Sequence, residues 1–552
     1  MPIRIEFDNA GITLTGDASV ALNNASMFDL AEKMRVQVPT SCKKNGKCRE
    51  CLIEVTEGMD LLTPRTAEES HLKGEFRLSC RTRIDSDAWP RGKTKRIRCH
   101  TLKREEMRIE KMGQDLPLSF RDVSLAPAVT REGQRIVRDG RVIAEVTSRN
   151  SGLYGVALDI GTTTVVARLI DLETGDAIAA RAFENPQRFA GSNVMSRIQF
   201  DLDNKGRLQQ RTLIGYLTRA LESFPVDPLE IYEVVVAANP TMRDLFFGLN
   251  VATIGRTPFQ SITELEQARG LRQTTAIEKT SRQLRLPIHP EARVLSLPLP
   301  GCHVGADAAA CLLTCDIENR TKPFMLMDIG TNTEIICGTA EKLLVASCPA
   351  GPAFEGGSID CGMPGLSGAI ERVSLAADGS ASFTVIGDGR AEGICGSGLV
   401  DLLNGLLETN QMDPNGRLGD GQDRLSLCLD PPIYLSESDI SELAQAKGAN
   451  HAGTQILLKR LGLSAADLDR LYLAGGFARH LDITAAKRIR LIPDLPGDRV
   501  SQIGNAALEG ASIALVSLPH RSLLSAIVAR AEHVSLEKDP DFFDLYVDGC
   551  IF

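Results

Sequence analysis

Residues 158–169 read LDIGTTTVVARL, and residues 327–338 read MDIGTNTEIICG. The second stretch is a copy of the first, 169 residues further on. In each copy an apolar strand runs into Asp-Ile-Gly-Thr and leaves as a second strand, so each predicts a β-hairpin with a polar tip. Gly161 and Gly330 let the backbone turn with its N–H groups aimed outward. Thr162, Thr163 and Thr164 in the first copy, and Thr331, Asn332 and Thr333 in the second, add side-chain donors suited to phosphate oxygens. Asp159 and Asp328 are suited to hold Mg²⁺ through water, because that ion keeps much of its hydration shell. A repeat of domain length implies two similarly folded lobes facing across a cleft, their tips clamping one polyphosphate such as that of ATP.

A third element begins at residue 471, LYLAGGFAR. Its apolar strand ends on Gly475 and Gly476. A diglycine here fits either a tight strand-to-helix turn or a close backbone approach to adenosine. Beside two phosphate tips, adenosine contact is the favoured reading. No GxxxxGK[ST] string occurs, so a P-loop is not the nucleotide site.

Near the start, Cys42, Cys48 and Cys51 stand in one loop with gaps of five and two residues, and Cys80 follows after 28 more. A [2Fe–2S] cluster held by four thiolates needs such a loop closed by one distant ligand. The five-residue first gap is similar to the adrenodoxin-type variant. A zinc site usually pairs two short hooks, and only one, Cys48–Cys51, is present.

The chain has 552 residues, enough for three or four domains, with 43% hydrophobic and 24% charged residues. The formal net charge of −9 disfavours nucleic acid and anionic membrane as partners. With 18 Phe, 6 Tyr and 1 Trp, the chain also lacks the aromatics of a base-stacking surface. A basic run at residues 91–98, RGKTKRIR, reads as a solvated linker. No N-terminal signal and no run of about 18 apolar residues is visible. The 14 scattered cysteines then suit a reducing cytoplasm.

The expected fold class is multidomain. Residues 1–90 form an N-terminal α+β domain of β-grasp ferredoxin type, with a hairpin over 3–15, a helix over 27–35 and a strand at Leu52–Thr56. Residues 91–150 are a linker with a small middle region, including a hairpin that turns at Asp139-Gly140. Residues 151–323 and 324–552 are the two α/β lobes.

The phosphate, phosphate and adenosine motifs, in that order, resemble the acetate and sugar kinase/Hsc70/actin (ASKHA) superfamily, which implies an ATPase of duplicated ribonuclease H-like lobes. Joined to a [2Fe–2S] domain, the chain resembles the reductive activators of corrinoid-dependent enzymes. The strings NPQRFAGSNVMSRI (185–198), ANPTMRDLFFG (238–248), GADAAA (305–310), PAGPAFEGG (349–357), GICGSGLVDLL (393–403) and GNAALEGA (504–511) agree with that family. The resemblance implies ATP-dependent one-electron reduction of a corrinoid protein from Co(II) to Co(I), with the cluster as donor and Mg²⁺ and ATP as further cofactors. It implies two partners: the corrinoid protein of a methyltransferase system, and an external donor such as ferredoxin, flavodoxin or a reductase. Self-association as a homodimer is a further expectation. Asp307 and Glu334 are candidates to orient the attacking water or assist Mg²⁺, although Asp307 reads equally as the N-cap of the helix after it. The loop around Glu355 lines the cleft or meets the corrinoid protein. Two other readings stay open: a small-molecule kinase with an accessory cluster, and an ATP-independent ferredoxin-type electron-transfer protein.

Overall fold

The computed structural model describes residues 3–7, 10–14, 25–36, 38, 44, 51–85, 96–101, 123–146, 151–301, 303–315, 317, 320–376, 380–387, 389–429, 432–476 and 478–552. Cys42 and Cys48, expected cluster ligands, lie outside these residues.

The N-terminal hairpin pairs Ile3–Phe7 with Ala10–Leu14. The helix Met27–Lys33 follows, opened by a reciprocal capping box in which Ser26 and Asp29 satisfy each other's backbone N–H. Both match expectation to within two residues. Among the described residues the sheet has five strands, in the order 10–14, 3–7, 96–101, 52–57, 76–78. Its middle strand, Arg96–Thr101, lies beyond the boundary expected at residue 90. It runs parallel to Ile3–Phe7 and antiparallel to Leu52–Glu57. The basic run conceals a period-2 strand: Ile97, Cys99 and Thr101 are buried, while Arg96 and Arg98 turn outward and pair with Glu6.

Under this sheet lies a buried ion pair. Glu69 (0% exposed) accepts from Arg77 Nε at 2.8 Å and Nη2 at 3.2 Å. It also accepts from the backbone N–H of Thr66 at 2.9 Å and Leu78 at 3.0 Å, and from the Thr82 hydroxyl at 3.3 Å. One carboxylate thus ties down both sides of Cys80.

Residues 123–146 carry a three-stranded antiparallel sheet, Val129–Glu132, Arg135–Arg138 and Arg141–Glu145. The expected turn at Asp139-Gly140 is present, with φ of +52° and +72°. Arg138 fastens this sheet to the first lobe by donating to the carbonyls of Tyr232 (2.5 Å) and Glu291 (2.8 Å).

The two lobes repeat one topology. In the first, Tyr154–Ile160, Thr164–Asp171 and Ala177–Glu184 form an antiparallel meander, and Ile231–Ala238 and then Arg293–Ser296 add in parallel beside the first strand. In the second, Phe324–Ile329, Thr333–Gly338 and Leu343–Cys348 form the meander, and Arg470–Ala474 and Val500–Gly504 add in the same way. Both DIGT stretches therefore occupy the turn between the first two strands, as the sequence repeat predicts. Two helices, Ala306–Leu312 and Ala506–Val516, fill the space between the sheets, the latter buried at every residue. Gly510 permits their contact, since a Cβ there would stand 1.9 Å from the Ala310 carbonyl oxygen. Among the described residues, no helix is long and apolar enough to cross a membrane.

Replacing Glu69 by Ala leaves the Arg77 guanidinium buried without its counter-charge. The expected cost is about 3–5 kcal/mol of ferredoxin-domain stability. Guanidinium titration followed by visible cluster absorption should show the loss at lower denaturant than in wild type, and an unchanged midpoint would refute the clamp.

Candidate functional site

The first tip is held from behind. Asn185 Nδ2 donates to the Gly161 carbonyl at 2.8 Å, the Asn185 backbone N–H to Thr163 O at 2.7 Å, and Arg197 Nη2 to Thr162 O at 2.7 Å. Asn185 and Arg197 are buried, and burial pulls the Arg197 pKa down to about 9. Asn239 Nδ2 donates to the Thr162 hydroxyl at 3.1 Å while its own Oδ1 caps the helix Pro240–Phe247. Three successive carbonyls are thereby engaged. Among the described residues, the backbone N–H groups of Thr162 and Thr163 donate to no backbone carbonyl, and neither do those of Thr331 and Asn332 at the second tip. These four amides are left available to an anion, as the sequence reading expects of the tips.

Glu355 bridges the tips, accepting from the hydroxyls of Thr331 and Thr163. Thr333 behaves differently from its neighbours. It stands opposite Ile329 in the hairpin, whereas Glu334 stands opposite Asp328, so its side chain turns to the other face. Its hydroxyl is buried with no partner among the described residues, and it is not on the acidic face. Thr164 and Thr163 border a cavity beside Glu184, on the side of the tip that meets the ferredoxin domain.

Carboxyl groups converge where the lobes meet. Burial pushes Asp159 up to about 7, against the 3.0 Å hydrogen bond from Asn505 Nδ2, and Asp307 adds to the rise. Burial likewise lifts Asp328 to about 7, reinforced by Asp307 and Asp159. Burial raises Asp307 to about 6 and drives Glu334 well above the carboxylate range, with Asp307 and Asp328 adding charge repulsion. The four sequence-predicted carboxylates thus act on one another. Gly305, not Asp307, is the N-cap of the helix Ala306–Leu312. Asp307 sits in the first turn, with its Oδ1 accepting from Ala308 N at 2.8 Å. Among the described residues, no three potential ligands stand close enough to enclose a metal ion directly. The arrangement fits a cation held through its water shell, with the anionic cluster supplying the attraction.

Gly475 has φ +108°, and a Cβ there would stand 2.3 Å from the Ile329 carbonyl oxygen. Its strand pairs with Phe324–Ile329, so the diglycine lies beside the second tip, with Gly476 exposed. Its N–H donates to the Gly504 carbonyl at 3.0 Å, and Arg479 lies against Gly504.

In the ferredoxin domain the sulfurs of Cys51 and Cys80 are 3.1 Å apart, both buried and not joined in a disulfide. The Cys80 contact, then burial, push the Cys51 thiol far up. Two adjacent thiolates in such a place need positive charge beside them, which the irons of a cluster supply.

Reading the sequence for charges and tips missed Asn185, Arg197, Asn239 and Asn505. All four lie inside family-like strings quoted above. Their signal was an Asn or Arg in a segment that looks like an ordinary helix start.

Three family models match the chain in order: the 2Fe-2S iron-sulfur cluster binding domain over residues 16–85, the RACo middle region over 154–320, and the C-terminal domain of RACo, the ASKHA domain, over 322–552. The corrinoid activation enzyme RamQ of Eubacterium limosum is 31% identical over 449 residues, which span 76% of this chain and 74% of that protein. The [Co(II) methylated amine-specific corrinoid protein] reductase of Methanosarcina barkeri is 25% identical over 426 residues, 72% of this chain and 76% of that one. A solved structure, the reductive activator for corrinoid, iron-sulfur protein, shares the fold with a TM-score of 0.69 at 24% identity, covering 100% of this chain and 98% of its own. With a [2Fe–2S] domain and a two-lobed ASKHA domain in one chain, and with these matches along its length, the protein belongs to the RACo family of corrinoid reductive activators.

Proposed function

We propose that this chain reduces the cobalt of a corrinoid protein from Co(II) to Co(I), one electron at a time, in a reaction driven by ATP. The observation that carries the proposal is the joint presence of the Asp159–Asp307–Asp328–Glu334 cluster between two phosphate tips and the buried Cys51–Cys80 pair. The ferredoxin unit, counted to Thr101, holds the cluster through Cys42, Cys48, Cys51 and Cys80. When bound, the cluster supplies a one-electron donor. The two lobes, 151–323 and 324–552, hold Mg²⁺-ATP.

The proposed division of labour is as follows. The amides of Thr162, Thr163, Thr331 and Asn332 bind phosphate oxygens. Asp159 and Asp328 hold the water shell of Mg²⁺ from opposite lobes, and Glu334 or Asp307 takes the proton of the attacking water. Gly475 and Gly476 let adenosine lie against the backbone. Each 59 mV by which the donor falls short of the acceptor lowers the one-electron equilibrium about tenfold. Binding of nucleotide that favours one arrangement of the lobes offsets that deficit by its differential affinity. The electron enters from an external reductant.

The test is anaerobic mixing of the reconstituted protein with a Co(II) corrinoid protein and a chemical reductant, followed by the corrinoid absorption spectrum. Co(I) should accumulate with ATP and not without it. Equal formation without nucleotide would favour the simple electron-transfer reading, and ATP turnover stimulated only by a small hydroxylated or carboxylate substrate would favour the kinase. Two variants separate the halves of the site. Asp328→Asn is expected to lower kcat/KM for Mg²⁺-ATP by about 10–100-fold with the cluster spectrum intact. Wild-type ATPase activity in it would remove Asp328 from the site. Cys48→Ala is expected to abolish the cluster's visible absorption and Co(I) formation while nucleotide still binds, and a retained spectrum would refute that ligand.

A further inference from the structure

The back of the first phosphate tip is also the docking place of the ferredoxin domain. Glu54, three residues after Cys51 on the strand Leu52–Glu57, pairs with Arg188 Nη2 at 3.2 Å. Arg188 reaches Glu184 with its other Nη, so one guanidinium joins carboxylates of two domains. Alongside, the His71 ring meets Phe189 edge to face, with centroids 6.1 Å apart. Arg188 and Phe189 belong to the short 3₁₀ helix Pro186–Ala190, whose N-cap is Asn185. Asn185 is the residue that grips Gly161 O and Thr163 O. Gly191, which ends the helix, accepts from Arg197 Nε at 3.0 Å, and Arg197 grips Thr162 O. The strand that follows Cys51 is therefore attached to the middle of a five-residue turn whose two ends both hold the first tip.

The second lobe reaches the same place. A cavity of about 210 Å³ lies among Glu54 and Thr101 of the ferredoxin domain, Thr163 and Arg188 of the first lobe, and Met363 and Leu366 of the second. Met363 follows the loop that carries Glu355, the bridge between the tips. A Cβ on Gly356 would stand 2.4 Å from Met363 N, so this loop is closely folded on itself.

We propose that Arg188 is a positioning residue that couples nucleotide binding to the cluster, by joining Glu54 on the ferredoxin strand to the turn that holds the first phosphate tip. The proposal rests on the reading of the tips as the ATP site. Its consequence is reciprocal: if nucleotide changes the free energy of reducing the cluster, cluster reduction changes nucleotide affinity by the same factor. A merely structural Arg188 would produce no such linkage.

The experiment measures the dissociation constant of a non-hydrolysable Mg²⁺-ATP analogue with the cluster oxidised and with it dithionite-reduced, and the cluster midpoint potential with and without the analogue. It is run on the full chain of wild type, Arg188→Ala, Arg188→Lys, and the charge exchange Glu54→Arg with Arg188→Glu. In wild type the two dissociation constants should differ by about tenfold, matched by a potential shift of about 59 mV. Arg188→Ala should bring the ratio below about twofold while retaining analogue binding, and Arg188→Lys and the exchange should restore part of it. Equal constants in wild type, or an undiminished ratio in Arg188→Ala with its cluster intact, overturns the proposal. Failure of wild type to bind the analogue in either state would instead overturn the ATP-site reading. Should Arg188→Ala lose its cluster, the Lys variant and the exchange decide: a ratio above about twofold in either supports the joint, and one near unity in both counts against it.

Discussion

Carboxyl groups held together away from bulk water are the constraint around which this molecule is arranged. Asp159 and Asp328 come from equivalent strands of the two lobes, Glu334 from the strand beside Asp328, and Asp307 from a helix between the sheets. Asp159, Asp307 and Asp328 each raise the proton affinity of at least one other of the four. Without a cation the group is stable chiefly when partly protonated. On the function proposed above, a hydrated Mg²⁺ carried in by a polyphosphate would remove that repulsion and give both lobes a common charge to approach.

That attraction is useful only if the tips hold their shape. Asn185, Arg197 and Asn239 fix the first tip from behind, and Glu355 ties the first tip to the second. The close packing of Gly510 on Ala310 gives the lobes a shared surface deep in the molecule. The ferredoxin domain rests on the outside of the first tip, and its own interior is organised by the Glu69–Arg77 pair around Cys80. The iron–sulfur domain is thereby placed against the back of the first tip of the ASKHA domain.

Much of this was legible in the chain. The duplicated DIGT stretch gave two lobes of equal topology, because a strand–tip–strand pattern is written within a dozen consecutive residues. The strand end at the diglycine was equally local: at Gly475 the positive φ and the contact with Ile329 leave no room for a side chain. The strand 96–101 was obscured because its outward residues are the arginines of a basic run and only Ile97, Cys99 and Thr101 betray the alternation. Three polar residues in each tip looked equivalent in one dimension, yet strand alternation sends Thr333 to the opposite face from Glu334. Asn185 and Arg197 owe their importance to partners more than 20 residues away in sequence. Residue type and spacing record a cap or a charge, but not a distant carbonyl.

On the proposed function, positive charge delivered with nucleotide discharges the protons that burial keeps on these acids. Asp159 and Asp328 titrate near 7, above the ordinary carboxylate range, so they are largely protonated at pH 6 and largely ionised at pH 9. The linkage has the matching sign: with no cation present these groups favour the fold below their unfolded pKa near 4, and that stability is lost as pH rises through 7. The most direct measurement is calorimetric titration with preformed Mg²⁺-ATP in buffers of different ionisation enthalpy. About one to two protons should be released per nucleotide bound at pH 6, falling to about none at pH 9. Binding at pH 6 with no proton release, or with proton uptake, would contradict the account.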